Sequence, residues 1–148
     1  MNGLRMPTTS EPTLLLLDTH VWVWLEAGNS ELTAGAREEI ARTLGFGLLR
    51  IAAICLWELA LLAARGRIIL GKSTDLWIDA ALAEPAPAIE PLSPAIAIES
   101  CYLPGDFHRD PADRMTVATA RVIGARLMTR DRRILDCAAS GHLAAIAV

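Results

Sequence analysis

The sequence predicts an α/β fold in which a parallel sheet carries helices on both faces. Two observations point there. "LLLL" at 14–17, "IAAI" at 51–54 and "ARLMT" at 125–129 are strand-length runs dominated by apolar residues, the pattern of strands buried on both sides. Segments of helical spacing separate them, so strand and helix alternate along the chain.

The elements follow in order. Residues 13–17 are the first strand, and "THVWVWLEAG" then places Val21, Trp22 and Leu25 at helical spacing before Gly28 stops it. A second helix is expected over 32–45, with Thr33 as N-cap and Gly45 closing it. "LLRIAAI" at 48–54 is a buried strand, and "CLWELALLAARGRI" at 55–68 is a helix apolar nearly all round and broken at Gly66. Ser73 or Thr74 caps a helix over 75–84, which Pro85 and Pro87 end, and 88–92 is a short strand. Ser93 caps the next helix with Pro94 in its first turn, and Gly105 begins a loop. Asp110 caps a helix over 110–124, the strand 125–129 follows, then a short helix at 131–139 and a final strand at 143–148.

At 148 residues the chain is expected to fold as one domain over 13–148 behind a flexible tail at 1–12. An apolar fraction of 53 % with 21 % charged residues is that of a folded, soluble protein. The net charge of −3 argues against bulk capture of nucleic acid, though it leaves room for a local basic rim. Thirteen of the fourteen basic residues are Arg, and Arg109, Arg114, Arg130, Arg132 and Arg133 lie beside acids. Cys55, Cys101 and Cys137 are odd in number and far apart, which supports neither a disulfide framework nor a zinc site and fits a reducing cytoplasm. No secretion signal or membrane span is expected. Nor is there a GxGxxG or Walker A pattern.

Ligands of such sheets bind outside the carboxyl ends of the strands, and that rule sorts the acids. Asp18 ends the first strand, and Asp131 follows the strand 125–129 after Arg130. Glu58 lies about one turn into the helix after the second strand, and Asp113 lies in the first turn of the helix that precedes 125–129. Singly, Asp18 and Asp131 read as helix caps, and Asp113 as an acid favoured by the helix dipole. Glu58, between Trp57 and Leu59, resists such an explanation. Four carboxylates at one sheet edge, with no basic partner of fixed geometry, cannot all stay ionised without a cation. Hard oxygen ligands and the lack of a His/Cys cluster select Mg²⁺ or Mn²⁺. His20, His108 and His142 share no metal spacing, Asp110 reads as a cap, and Trp22, Trp24, Trp57 and Trp77 read as core or interface.

The blocks "LLLLDTHVWVWL", "IAAICLWELALLAARGRI", "HRDPADRMTVATA" and "LMTRDRRIL" together resemble the motifs of PIN-domain ribonucleases, most closely the VapC-type toxins of toxin–antitoxin pairs. Ala112 departs from the pattern, since relatives often have Phe there, and the N-terminal extension is also untypical. The resemblance implies a three-layer α/β/α sandwich around a mostly parallel sheet, commonly dimeric, with an acidic Mg²⁺ site that cuts RNA. It carries the catalytic acids over to Asp18, Glu58, Asp113 and Asp131. In this reading Asp18 and Asp113 are the primary metal ligands and Glu58 and Asp131 the secondary ones. Arg109, Arg114 and Arg130 are expected to contact the RNA.

The function expected is therefore a metal-dependent endoribonuclease, the toxin of a pair, cutting structured RNA such as tRNA or rRNA and held by a small DNA-binding antitoxin. A homodimer is expected, because the helix bearing Trp22, Trp24 and Leu25 and the helix at 55–65 offer more apolar face than one small sheet covers. Three other readings stand beside it. One is a PIN nuclease of RNA maturation or turnover with no antitoxin. Another is a receiver-like domain phosphorylated on Asp18, which needs a lysine late in the chain, whereas Lys72 is the only one. The third is a catalytically dead binding module, which the intact acid set disfavours.

Overall fold

Leu15, Leu16 and Leu17 form β1 (Leu15–Leu17), and all three are fully buried. Side chains alternate across a strand, so Leu15 and Leu17 join the core on one face of the sheet and Leu16 the core on the other. The leucine run is apolar without interruption because both faces are covered.

The computed structural model describes residues 11–148, and residues 1–10 of the tail expected at 1–12 lie outside the described residues. After β1 come α1 (Thr19–Ala27), α2 (Ala34–Gly45), β2 (Leu49–Ala52), α3 (Ala53–Ala64), α4 (Thr74–Ala81) and β3 (Ala88–Glu90). Then follow α5 (Pro94–Cys101), α6 (Pro111–Ile123), β4 (Arg126–Thr129), α7 (Arg132–Ala139) and β5 (Ala145–Ala147). The strands lie in the order β3-β2-β1-β4-β5, and every neighbouring pair is parallel. The chain winds outward from β1 to β3 and then crosses back to β4. The order therefore reverses between β1 and β4, which opens a crevice at their carboxyl ends.

Trp22 of α1, Ile40 of α2 and Trp77 of α4 cover one face, while Ile96 of α5, Val117 of α6 and Ile134 of α7 cover the other. This is the three-layer α/β/α sandwich. Helix α3 contributes to both cores, through Leu59 to the first and Cys55 to the second. Trp22 is fully buried and meets Trp77 edge-on with ring centroids 5.0 Å apart, a pairing worth roughly 1 kcal/mol beyond its area. Val21 and Trp22 of α1 and Leu59 of α3 are covered within the chain, at zero exposure, whereas Trp24 and Leu25 are partly buried and Trp57 stays exposed.

Several ends shift: the helix expected over 75–84 stops at Ala81, before the prolines, and the strands expected at 13–17, 88–92 and 143–148 are shorter. Residues 53 and 54, expected in the second strand, begin α3, because the chain turns from β2 into the helix at Ala52 with no side-chain cap and no loop. Glu58 consequently lies in the second turn of α3. Gly45 stays inside α2, and Gly47, at φ 69°, makes the left-handed turn in its place. Among the described residues no helix is long and apolar enough to cross a membrane.

Candidate active site

The crevice at the β1–β4 switch holds the acids. Asp18 leaves β1, and its N–H donates to Met128 O across the crevice at 3.0 Å. It caps α1, as a lone Asp there would, yet it is only 7 % exposed. Thr19 N–H donates to Oδ1 at 2.8 Å and the Thr129 hydroxyl to Oδ2 at 2.7 Å. Burial pushes the Asp18 carboxyl up, against the pull of those two hydrogen bonds.

The same threonine reaches a second acid. Asp131 N–H donates to Thr129 Oγ1 at 3.0 Å. Asp131 caps α7, its Oδ1 accepting from Arg133 N–H at 2.8 Å and Ile134 N–H at 3.3 Å. Burial pushes this carboxyl up, but the hydrogen bonds from Arg133 and Ile134 outweigh it and hold Asp131 below its ordinary range.

The other acids come from helices. Glu58 is raised by burial, with the Thr19 hydroxyl opposing and Asp18 and Asp110 reinforcing. Helix α6 leads into β4, so its N-terminus lies at the carboxyl edge of the sheet. There Asp110 caps it by accepting from Asp113 N–H at 3.1 Å. Burial, reinforced by Asp18, Asp110, Asp131 and Glu58, pushes Asp113 up to about 7.

All four expected acids line one cavity of about 440 Å³. Asp110 lines it too, and one oxygen each from Glu58, Asp110 and Asp113 lie within 4.8 Å of one another. Reading Asp110 as a cap was correct and incomplete: the residue caps α6 and faces the acids. Its place one helical turn before Asp113 was the signal available in the sequence.

The expectation of no basic partner is corrected. His108 Nε2 lies 3.1 Å from Asp113 Oδ2, while Arg133 Nη2 lies 3.3 Å from Asp131 Oδ2 and 3.7 Å from Asp113 Oδ2. Both side chains come from segments that reach the crevice only when the chain is folded. They do not balance the acids, since burial and then Arg133 press His108 below its ordinary pKa. The donors are hard carboxylate oxygens, and one each from Glu58, Asp110 and Asp113 lie within 4.8 Å of one another. That donor set fits a hydrated divalent ion.

The rim is mixed. Arg130 lies over the Trp24 ring, its guanidinium carbon 5.5 Å from the centroid, and pairs with Glu31. His20, expected as packing, is exposed and lines the cavity with Arg67. Arg109 is exposed in the loop before α6. Arg114, expected to contact RNA, clasps a loop: its Nε donates to Ser100 O and its Nη1 to Phe107 O and His108 O. A larger cavity of about 680 Å³ near Gly124 and His142 holds a single acid, Glu99, which pairs with Arg121 at 2.7 Å.

The family model of the PIN domain matches residues 15–139, a span that includes all five acids. Ribonuclease VapC22 of Mycobacterium tuberculosis is 38 % identical over 122 residues, covering 82 % of this chain and 90 % of that protein. Among solved structures, VapBC2 from Rickettsia felis bound to a promoter DNA fragment superposes with a TM-score of 0.68 at 14 % identity, over 92 % of this chain and 99 % of that one. A toxin-antitoxin complex from Klebsiella pneumoniae superposes with a TM-score of 0.53 at 23 % identity, over 79 % of this chain and 86 % of that one. At such identities the solved structures show the fold alone. The family model and the sequence relative carry more: the chain belongs to the PIN-domain family, among its VapC-type members.

Proposed function

We propose that the chain is a Mg²⁺- or Mn²⁺-dependent endoribonuclease and the toxin of a toxin–antitoxin pair. The observation that carries this reading is the convergence of five carboxylates from α1, α3, α6 and α7 on one 440 Å³ cavity at the sheet's switch point. The relative from Mycobacterium tuberculosis, a ribonuclease by name, supports the activity. The toxin-antitoxin complex from Klebsiella pneumoniae supports an antitoxin partner.

Asp18 and Asp113 would be the direct ligands, Asp18 because Thr129 and Thr19 N–H hold its carboxylate in one orientation. Glu58 and Asp131 would hold a second ion or its waters, and Asp110 joins Glu58 and Asp113. The bound ion supplies an activated water and neutralises charge on the scissile phosphate. Arg67, Arg130 and Arg133 stand around the acids to meet the flanking phosphates, with Arg109 further out. No protein nucleophile is needed, and Cys55, pushed up to about 12 by burial, would not serve as one. Hydrolysis by water leaves a 5′-phosphate and a 3′-hydroxyl.

Structured RNA such as tRNA or rRNA is the proposed substrate, and the cytoplasm the proposed compartment. A homodimer remains part of the reading, resting on the exposed Leu92, Ile98 and Tyr102 and no longer on Trp22. The test is cleavage of total RNA by purified, antitoxin-free protein. We expect internal cuts that need Mg²⁺ or Mn²⁺ and stop with EDTA, and growth arrest on expression that Asp18→Ala relieves. RNA left intact in Mg²⁺, or cut equally in EDTA, overturns the reading.

A further inference from the structure

The acid cavity continues past Glu58 and Asp110 into a second hollow of about 450 Å³. The two share Glu58, Leu62, Arg67 and Asp110 in their walls, so they form one trough. Trp57 walls the extension and is 52 % exposed, so of the two places expected for it, core or interface, the core is ruled out. It precedes Glu58 on α3 and both residues line the hollow, so one helix presents an acid and an indole to it. Arg65 and Arg67 line the same hollow, and among the described residues neither makes an ion pair. The other two arginines that line the acid cavity are engaged, Arg130 by Glu31 and Arg133 by Asp131.

An exposed indole and two unpaired guanidiniums in one hollow, sharing walls with the acid cavity, match a strand that alternates bases and phosphates. The volume suits a single small group, at the lower end of ligand pockets. We propose that this extension is a nucleotide subsite, in which the base of an unpaired RNA residue beside the cut stacks on Trp57 while Arg65 and Arg67 hold its phosphate. The proposal rests on the ribonuclease reading. An apolar peptide would use the indole and leave both guanidiniums without anions, so RNA is the occupant the charges favour.

The probe is a short labelled oligoadenylate compared with an abasic strand of the same length, titrated by fluorescence anisotropy with Ca²⁺ replacing Mg²⁺. Wild type should bind oligoadenylate about 10-fold more tightly than the abasic strand, the scale of one aromatic stacking interaction. Trp57→Ala should bind the two alike, and Trp57→Phe should keep most of the preference. Arg65→Gln with Arg67→Gln should lower the salt slope by about 0.7 for each phosphate no longer neutralised, leaving the base preference in place. An unchanged preference in Trp57→Ala overturns the proposal, as does a Trp57→Ala protein that only changes its oligomeric state by light scattering. If wild type cuts RNA in Mg²⁺ but Trp57→Ala keeps its preference, the subsite alone falls. If wild type cuts nothing, the ribonuclease reading falls with it.

Discussion

Thr129 donates its hydroxyl proton to Asp18 Oδ2 at 2.7 Å from a position with no exposed surface. Since Thr129 Oγ1 also accepts from Asp131 N–H, one hydroxyl sets the position of an acid from each side of the β1–β4 crevice. Thr129→Val keeps the shape and removes both bonds. We expect a loss of about 2 kcal/mol, the scale of a hydrogen bond to a charged group, together with weaker Mg²⁺ binding. Thr129→Ser should restore most of both. Thermal melts and a metal titration by calorimetry decide it; a Val variant with wild-type metal affinity refutes the bridging role.

The two acids of "RDPAD" separate by role. Asp113→Asn should lower cleavage at least about 100-fold, the scale of losing a group that acts on the reacting centre, with folding intact. Asp110→Asn keeps a good cap, so it should melt like wild type while cleaving less well, because Asp110 shares the 4.8 Å cluster. Asp110→Ala should add a stability loss of about 1 kcal/mol from the missing cap. Full activity in Asp110→Asn would reduce that residue to a cap.

Asp113 links stability to pH. Its folded pKa of about 7 lies above the ordinary 3.8, so the folded metal-free protein holds this proton more tightly than the unfolded chain. The resulting stability is full at the acid end and is lost as pH rises toward 7. Asp131, held low, contributes in the opposite sense, with stability that is lost on acidification. Between about pH 5 and pH 7.5 the metal-free melting temperature should fall, and Asp113→Asn should flatten that fall. Stabilisation by Mg²⁺ or Mn²⁺ should grow over the same interval, because the ligands must first lose protons. Calorimetry across that interval, with and without metal, checks the sign; a metal-free melting temperature that rises with pH contradicts it.

Arg114 offers a test of fold against rim. Its three bonds to carbonyls of residues 100, 107 and 108 hold the loop that delivers Asp110 and His108. Arg114→Ala should lower stability by about 2 kcal/mol and slow cleavage through a loosened α6 start. The salt dependence of RNA binding should stay unchanged, whereas a smaller slope would return Arg114 to the substrate.

The order and type of the elements, and the sheet edge at which the acids gather, are legible in the chain because those signals are local. Leu15–Leu17 announces a strand buried on both faces, Thr33, Ser93 and Asp110 cap helices as their positions imply, and the strand-end rule places Asp18 and Asp131. Folding alone supplies what no local pattern holds: that Asp110 meets Glu58 across α6 and α3, that Arg133 and His108 lean on Asp113, and that Arg114 turns inward to a loop. It also sets Trp22 against Trp77 and leaves Trp57 in the open, although both sit in apolar helices. Periodicity gives each helix an apolar face, but which of its residues are covered depends on where the crossovers lay the neighbouring helices. That is settled only when the whole sheet is closed over on both sides.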